Sequence, residues 1–400
     1  MKKILFLVLD GLGDDLIPSL GDKTPLEAAD TPNLDILAKK GVCGLLEPYY
    51  SGVMPTSEEG HYSLFGCDPK RYKIKRGVVT ALGAGINLEA GDISFRGNFA
   101  TIDNNFKVID RRAGRIKDTK EIVSSLNKIE LNGAEIIVKG ASEHRIALVL
   151  RGEGLSSEVS DGDPHYKDFG DEVSDIVPLD KSKEALLTAK IINSFLEKSH
   201  TILKSHYKNK DREDNGLLPA NYILLRGASS FVELPSFLAT YGLKACCIAG
   251  KNLYKSIATS LGMDILNING ANGTIDTNIG GMIQGGIDAL NEGYNFAFIH
   301  FKATDTLAED GDYLGKKKFI EKIDKQLELL LDIGVTVVVT SDHSTSSLEK
   351  SHSPLPIPFL IFNNKIVPDK TQLFSEKECK KGALGLIPQM ETMLKVQDLS

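Results

Sequence analysis

No apolar stretch in this chain approaches the roughly 18 residues that a helix needs to cross a bilayer. The first apolar run, ILFLVL at 4–9, is stopped by Asp10, too early for the apolar segment and cleavage site of a secretory signal. A membrane partner is therefore not expected, and a cytoplasmic location is. Cysteine is sparse as well. Cys43, Cys67, Cys246, Cys247 and Cys379 show no CxxC spacing, which excludes zinc-finger chemistry and suits reduced thiols. Cys246 and Cys247 lie in the apolar run KACCIAG and read as core. Positive charge is also in deficit: Lys and Arg number 47 against 54 Asp and Glu, for a net −7 and a pI near 5.7. Neither nucleic acid nor an anionic membrane fits that balance, and any anion bound here needs local cations. Internal repeats and low-complexity tracts are missing too.

The chain has 400 residues, 42% apolar and 25% charged, which suits a large core and one to three domains. Short apolar runs recur at 4–9, 222–225, 244–250, 296–301, 335–340 and 358–362. Their length and lack of alternation predict strands buried on both faces. Between them lie helical patterns at 31–41, opened by Thr-Pro and closed by Gly, and at 182–198, 252–262 and 316–334. Alternating strands and helices predict an α/β fold with a mostly parallel sheet. Residues 90–181 break the rhythm: they read as β-rich with one or two helices, an inserted smaller α+β domain. The expected division is a discontinuous core, 1–89 and 182–400, around that insert, with the helix from 182 returning the chain to the main sheet. The charged segment 205–216, SHYKNKDREDNG, reads as a solvated loop.

In parallel sheets, function collects beyond the carboxyl ends of the strands. Asp10 directly follows ILFLVL, Asp305 follows FAFIHF, and Asp342 with His343 follows VTVVVT. One strand-end Asp is commonly a turn or cap residue. Three such ends, one paired with His, point to a divalent metal, for which these are common ligand types. The stretch KATDTLAEDGD at 302–312 crowds Asp305, Glu309, Asp310 and Asp312 together. On a helical turn Asp305 and Glu309 share a face and can grip one cation; Asp310 points elsewhere, and Asp312 reads as a cap. Read by itself the stretch is also an ordinary acidic loop. In MPTSEEGHYSLFG at 54–66, Ser57 reads first as a helix N-cap, a role compatible with a nucleophile because a helix N-terminus also welcomes phosphate.

These stretches together resemble the archaeal type of cofactor-independent phosphoglycerate mutase, within the alkaline phosphatase superfamily. The resemblance runs nearly end to end, through VLDGLGD (8–14), KTPLEAADTPNLDILAKKG (23–41), SEEGH (57–61), FRGNFATID (95–103), IDRRAGRI (109–116), EHRIALVLRG (143–152), KATD (302–305), GDYLGKKKFIEKID (311–324) and TSDHST (340–345). It implies an alkaline-phosphatase-like α/β core carrying a lid domain. The implied reaction interconverts 3-phosphoglycerate and 2-phosphoglycerate through phosphoserine at Ser57. It further implies two divalent ions, one on Asp10, Ser57, Asp342 and His343, the other on Asp305, the residue at 309, and His352. His61, Arg96, Arg111, Arg112, Arg115, Arg145, Arg226 and Lys302 are the implied substrate contacts; a small phosphorylated three-carbon acid is the implied partner. Departures exist. Position 309 is usually His in this family, and Glu309 offers a hard oxygen that favours Mn²⁺ or Mg²⁺ over Zn²⁺. TSEEGH is closer to the bacterial SEVGH than to the archaeal GSDTAH, and the usual Pro-Cys after His343 is replaced. Alternative readings are a metal-dependent phosphatase or other phosphotransferase on the same core, and a non-catalytic homologue.

Overall fold

A computed structural model describes residues 2–49, 52, 54–72, 75–131, 133–141, 143–164 and 172–400. The chain forms two compact units, one of Met1–Arg71 with Leu234–Ser400, the other of Tyr72–Glu233.

The first unit is built on an eight-stranded sheet in the order Gly385–Pro388, Val42–Glu47, Ile357–Phe362, Thr336–Thr340, Ile4–Leu9, Phe296–Phe301, Ala245–Ala249 and Asp264–Ile265. Ile4–Leu9 is central and runs parallel to both neighbours. Every residue of ILFLVL, FAFIHF and TVVVT is buried, as expected of strands covered on both faces. Ile357–Phe362 is equally buried but antiparallel to both its neighbours, a direction that composition does not encode. The helix Pro32–Lys40 starts at the Thr-Pro step, yet Thr31 makes no capping bond. Asp324 caps it instead, accepting from the backbone N–H of Leu34 at 2.7 Å. The pattern at 316–334 resolves into the helix Tyr313–Asp324 and a 3₁₀ turn Leu327–Leu330. Asp312 caps the former through the Gly315 N–H. All five cysteines are buried free thiols.

The second unit centres on an antiparallel sheet of Val108–Asp110, Ile93–Ile102, Arg145–Arg151 and Glu135–Gly140, with Tyr222–Ser230 paired along the other side of Ile93–Ile102. The expected boundaries differ from these units. The helix Lys183–Ser205 packs Ile191, Ile192, Phe195, Leu196 and Leu203 into the same core as Phe95, Phe99 and Leu148, so it belongs with the insert. An amphipathic helix satisfies any sheet that offers an apolar face, and the 222–225 run follows it. The charged stretch 205–216 contains the helix Tyr207–Asp214. Its one buried residue, Asn209, bonds the Leu203 and Ala220 carbonyls at 2.8 and 3.0 Å, which holds a polar helix that propensity alone leaves marginal.

Candidate active site

Three adjacent parallel strands of the first unit, Thr336–Thr340, Ile4–Leu9 and Phe296–Phe301, end on one rim of the sheet. Asp342 and His343, Asp10, and Lys302 with Asp305 follow them. Asp10, Asp305, Asp342 and His343 are all fully buried. Asp305 lies in the first turn of the helix Ala303–Glu309. Ser57 opens the helix Ser57–Leu64, but Thr56 is its cap, exchanging capping-box bonds with Glu59. The Ser57 hydroxyl is therefore not needed for capping, and its Oγ lies 3.4 Å from His343 Nε2.

Donor atoms within 4.8 Å of one another form two groups among the described residues: Asp10, Asp342 and His343, and Asp305, His343 and His352. His343 is common to both, and its ring stacks on His352 at 3.7 Å. Glu309 lies outside these groups, with Oε1 3.9 Å from His352 Nε2, while Asp305 Oδ1 is 3.8 Å from the same nitrogen. Asp305 and Glu309 thus face one histidine, as their spacing suggests.

A divalent cation fits this chemistry. Asp10 Oδ1 and Asp342 Oδ2 are buried without a hydrogen bond among the described residues, an expensive state for carboxylate oxygens unless a cation compensates. The histidine nitrogen nearest Asp342 Oδ2, His61 Nδ1 at 3.1 Å, is 2.8 Å from the Ser57 carbonyl and directed to it. The field already favours ionised acids. Burial opposes ionisation of Asp10, but Lys302, His300 and His343 hold its carboxyl well below the usual range. Burial and Asp10 oppose ionisation of Asp342, yet His343 and His61 bring it down to about 2. Burial disfavours the Lys302 ammonium, and Asp10 and Asp305 reverse this and raise its pKa. Lys302 joins the two groups: its Nζ is paired with Asp305 and sits 3.4 Å from Asp10 Oδ2. Burial and Asp305 push the Glu309 carboxyl up.

His61, expected as a substrate contact, is fully buried and engages Asp342. Sequence reasoning missed His300, whose Nε2 lies 3.0 Å from Asp10 Oδ2 and whose ring stacks on Tyr254 at 3.5 Å. It also missed Thr345, which donates to Asp305 Oδ1 at 2.6 Å and lies 3.1 Å from His343 Nδ1. The signal for His300 was a lone histidine inside an otherwise apolar strand, in register with Val8. Close packing explains two glycines. A side chain on Gly11 (φ +62°) would strike Thr345 and Asp305, and one on Gly60 would strike the Asp342 carbonyl.

The second unit gathers the arginines. Arg96 and Arg226 are cross-strand partners, and Arg145 pairs with Asn98 one pleat along. Like charges placed opposite one another are unfavourable unless an acid intervenes. Buried Asp163 is that acid, ion-paired with Arg111 and 3.9 Å from Arg226. Arg145, Arg112 and Arg96 lie close enough to His144 to oppose its protonation. Arg115 is exposed, at the end of a turn in which Ala113, Gly114 and Arg115 all have positive φ. Such strain in non-glycine residues concentrates at functional sites.

A model of the 2,3-bisphosphoglycerate-independent phosphoglycerate mutase family matches residues 38–209. The chain is 41% identical to 2,3-bisphosphoglycerate-independent phosphoglycerate mutase 1 of Archaeoglobus fulgidus, covering 99% of this chain and 97% of that protein. It is 44% identical to a mutase of the same name from Saccharolobus islandicus, covering 96% and 94%. Among solved structures, the cofactor-independent phosphoglycerate mutase of Thermoplasma acidophilum superposes with a TM-score of 0.76 at 33% identity, over 100% of this chain and 99% of that one. A Pyrococcus horikoshii protein gives 0.85 at 31% identity, over 100% and 97%.

Proposed function

This chain belongs to the 2,3-bisphosphoglycerate-independent phosphoglycerate mutase family, and from that premise we propose that Ser57 carries the phosphoryl group between the two hydroxyls of glycerate. The reaction is the interconversion of 3-phosphoglycerate and 2-phosphoglycerate, an isomerisation. The observation that carries the Ser57 assignment is its position: a hydroxyl freed from capping, 3.4 Å from the one histidine shared by both ligand groups.

Two divalent ions are assigned to these groups. Asp10, Ser57, Asp342 and His343 would hold one; Asp305, His352 and Glu309 the other, with Mn²⁺ or Mg²⁺ preferred over Zn²⁺ because Glu309 replaces nitrogen with a hard oxygen. When bound, such ions supply the positive charge that lowers the pKa of the serine hydroxyl and offsets its repulsion from a phosphate dianion. The chain's own residues do the rest. The Ser57 hydroxyl gives up its proton as Oγ attacks phosphorus in line, forming the Ser57 O–P bond while the bond to the 3-oxygen breaks and that oxygen takes up a proton. Lys302, whose ammonium already spans Asp10 and Asp305, orients the leaving oxygen. Unit charges about 4 Å apart interact by roughly 4 kcal/mol at an effective dielectric of 20, enough to fix that placement. Glycerate turns, and its 2-hydroxyl loses its proton and bonds to phosphorus as the Ser57 O–P bond breaks and Oγ takes a proton back. His300 orients Asp10, and His61 holds the Ser57 backbone carbonyl. The arginines of the second unit are assigned to the carboxylate and phosphate of the substrate, for which their planar donors are suited. That unit is assigned the role of a lid, because a mutase must deny water the phosphoserine. A cytoplasmic location goes with this reading; no helix among the described residues is long and apolar enough to cross a membrane.

An enolase-coupled assay with 3-phosphoglycerate and Mn²⁺, with and without chelator, tests the reading. Expected is 2-phosphoglycerate formation that chelation abolishes. Stoichiometric inorganic phosphate without 2-phosphoglycerate would make the chain a phosphatase.

A further inference from the structure

Lys316, on the helix Tyr313–Asp324, is fully buried and unused by the reaction above. A buried ammonium persists only where its donors are matched. Its Nζ lies 2.8 Å from Asp14 Oδ2, 3.2 Å from the Thr345 carbonyl and 3.3 Å from the Gly13 carbonyl. Asp14 is buried as well and accepts from the Ser347 N–H at 2.8 Å and its hydroxyl at 2.6 Å. The Gly13 carbonyl also accepts from the Thr345 N–H at 2.9 Å. One cation therefore ties the loop that follows Asp10 to the segment that follows His343. The tie continues outward. The Thr345 backbone is held by Lys316, and the Thr345 hydroxyl bonds Asp305 and contacts His343.

We propose that Lys316 is a positioning residue for the metal ligands: through Thr345 it fixes Asp305 and His343, and through Gly13 and Asp14 the loop that carries Asp10. It touches none of them itself. The proposal rests on the reading of Asp10, Asp305, Asp342, His343 and His352 as ligands. It explains why a cation is buried where an apolar side chain would fill the same space more cheaply: a methionine there cannot hold two carbonyls and a carboxylate together.

The test is Mn²⁺ titration of the full chain, read by electron paramagnetic resonance of the free ion, with circular dichroism to confirm folding. Lys316→Met and Thr345→Val are each expected to weaken Mn²⁺ binding by about 10–100-fold, the range typical of groups that orient ligands. The double variant should bind no more weakly than the worse single, because the two act in series. Lys316→Met leaves Asp14 buried without its cation. Lys316→Met/Asp14→Asn removes that charge, and is expected to melt near the wild type while still binding Mn²⁺ weakly. It and Thr345→Val carry the decision should Lys316→Met not fold. Wild-type affinity in these variants, or additive losses in the Lys316–Thr345 pair, would overturn the proposal. A wild-type chain that binds no Mn²⁺ would instead defeat the ligand reading, and this inference with it.

Discussion

The two units place chemistry by different rules. In the first, parallel strands deliver Asp10, Asp305, Asp342 and His343 from loops just past their carboxyl ends, so acids and histidines meet whatever the side-chain alternation within each strand. In the second, antiparallel register does the work: Arg96 meets Arg226 because their strands pair there. The first unit gathers negative charge that calls for metal, and the second gathers positive charge that calls for an anion. Residues just past strand ends can therefore be read from sequence, whereas cross-strand partners such as Arg96 and Arg226 cannot.

Substitutions ordered by expected effect sharpen this contrast. Ser57→Ala should lower turnover by about 10⁴-fold or more with the fold intact by circular dichroism; activity near the wild type would remove Ser57 from the mechanism. Arg226→Ala should act on the anion side alone. Losing a charge-assisted hydrogen bond is expected to raise KM about 10–100-fold, with Mn²⁺ affinity unchanged in the same preparation. A parallel loss of metal would erase the distinction between the units.

Glu309→His probes the metal side more gently. Restoring a nitrogen should shift the Zn²⁺-to-Mn²⁺ affinity ratio toward zinc by about tenfold, measured by competition; an unchanged ratio would place Glu309 outside the ligand set.

The smallest effect is on stability. Burial, then Arg145 and Arg112, push the His144 imidazole down to about 4. The unfolded chain takes up that proton first, near pH 6.5. His144 therefore contributes stability that is complete above about pH 6.5 and is lost as pH falls toward about 4. His144→Asn should flatten the melting-temperature profile across that window by about 2–4 °C, and an unaltered slope would assign the acid sensitivity elsewhere.

What could be read in advance follows the same division. Asp10, Asp342 and His343 were legible because each follows a short apolar run that nothing but a buried strand explains. Ser57 was ambiguous because Thr56 and Ser57 both suit a cap, and only the observed capping box separates them. Lys316 was hidden within three consecutive lysines; which one turns inward depends on the helix's docking and not on local sequence. His300 was masked by its strand, since a histidine among phenylalanines reads as packing. Which sheet the helix Lys183–Ser205 packs on is not legible in the sequence, because its apolar stripe carries no address.

The proposal that a serine on a metal-holding rim carries the phosphoryl group predicts a covalent intermediate. Its most direct test is rapid acid quench of the Mn²⁺-loaded enzyme turning over 3-phosphoglycerate, followed by peptide mass spectrometry. Expected is phosphate on Ser57 alone, absent after chelation, while 2-phosphoglycerate accumulates. Phosphate on another residue, or steady 2-phosphoglycerate formation by the Ser57→Ala chain, would contradict it.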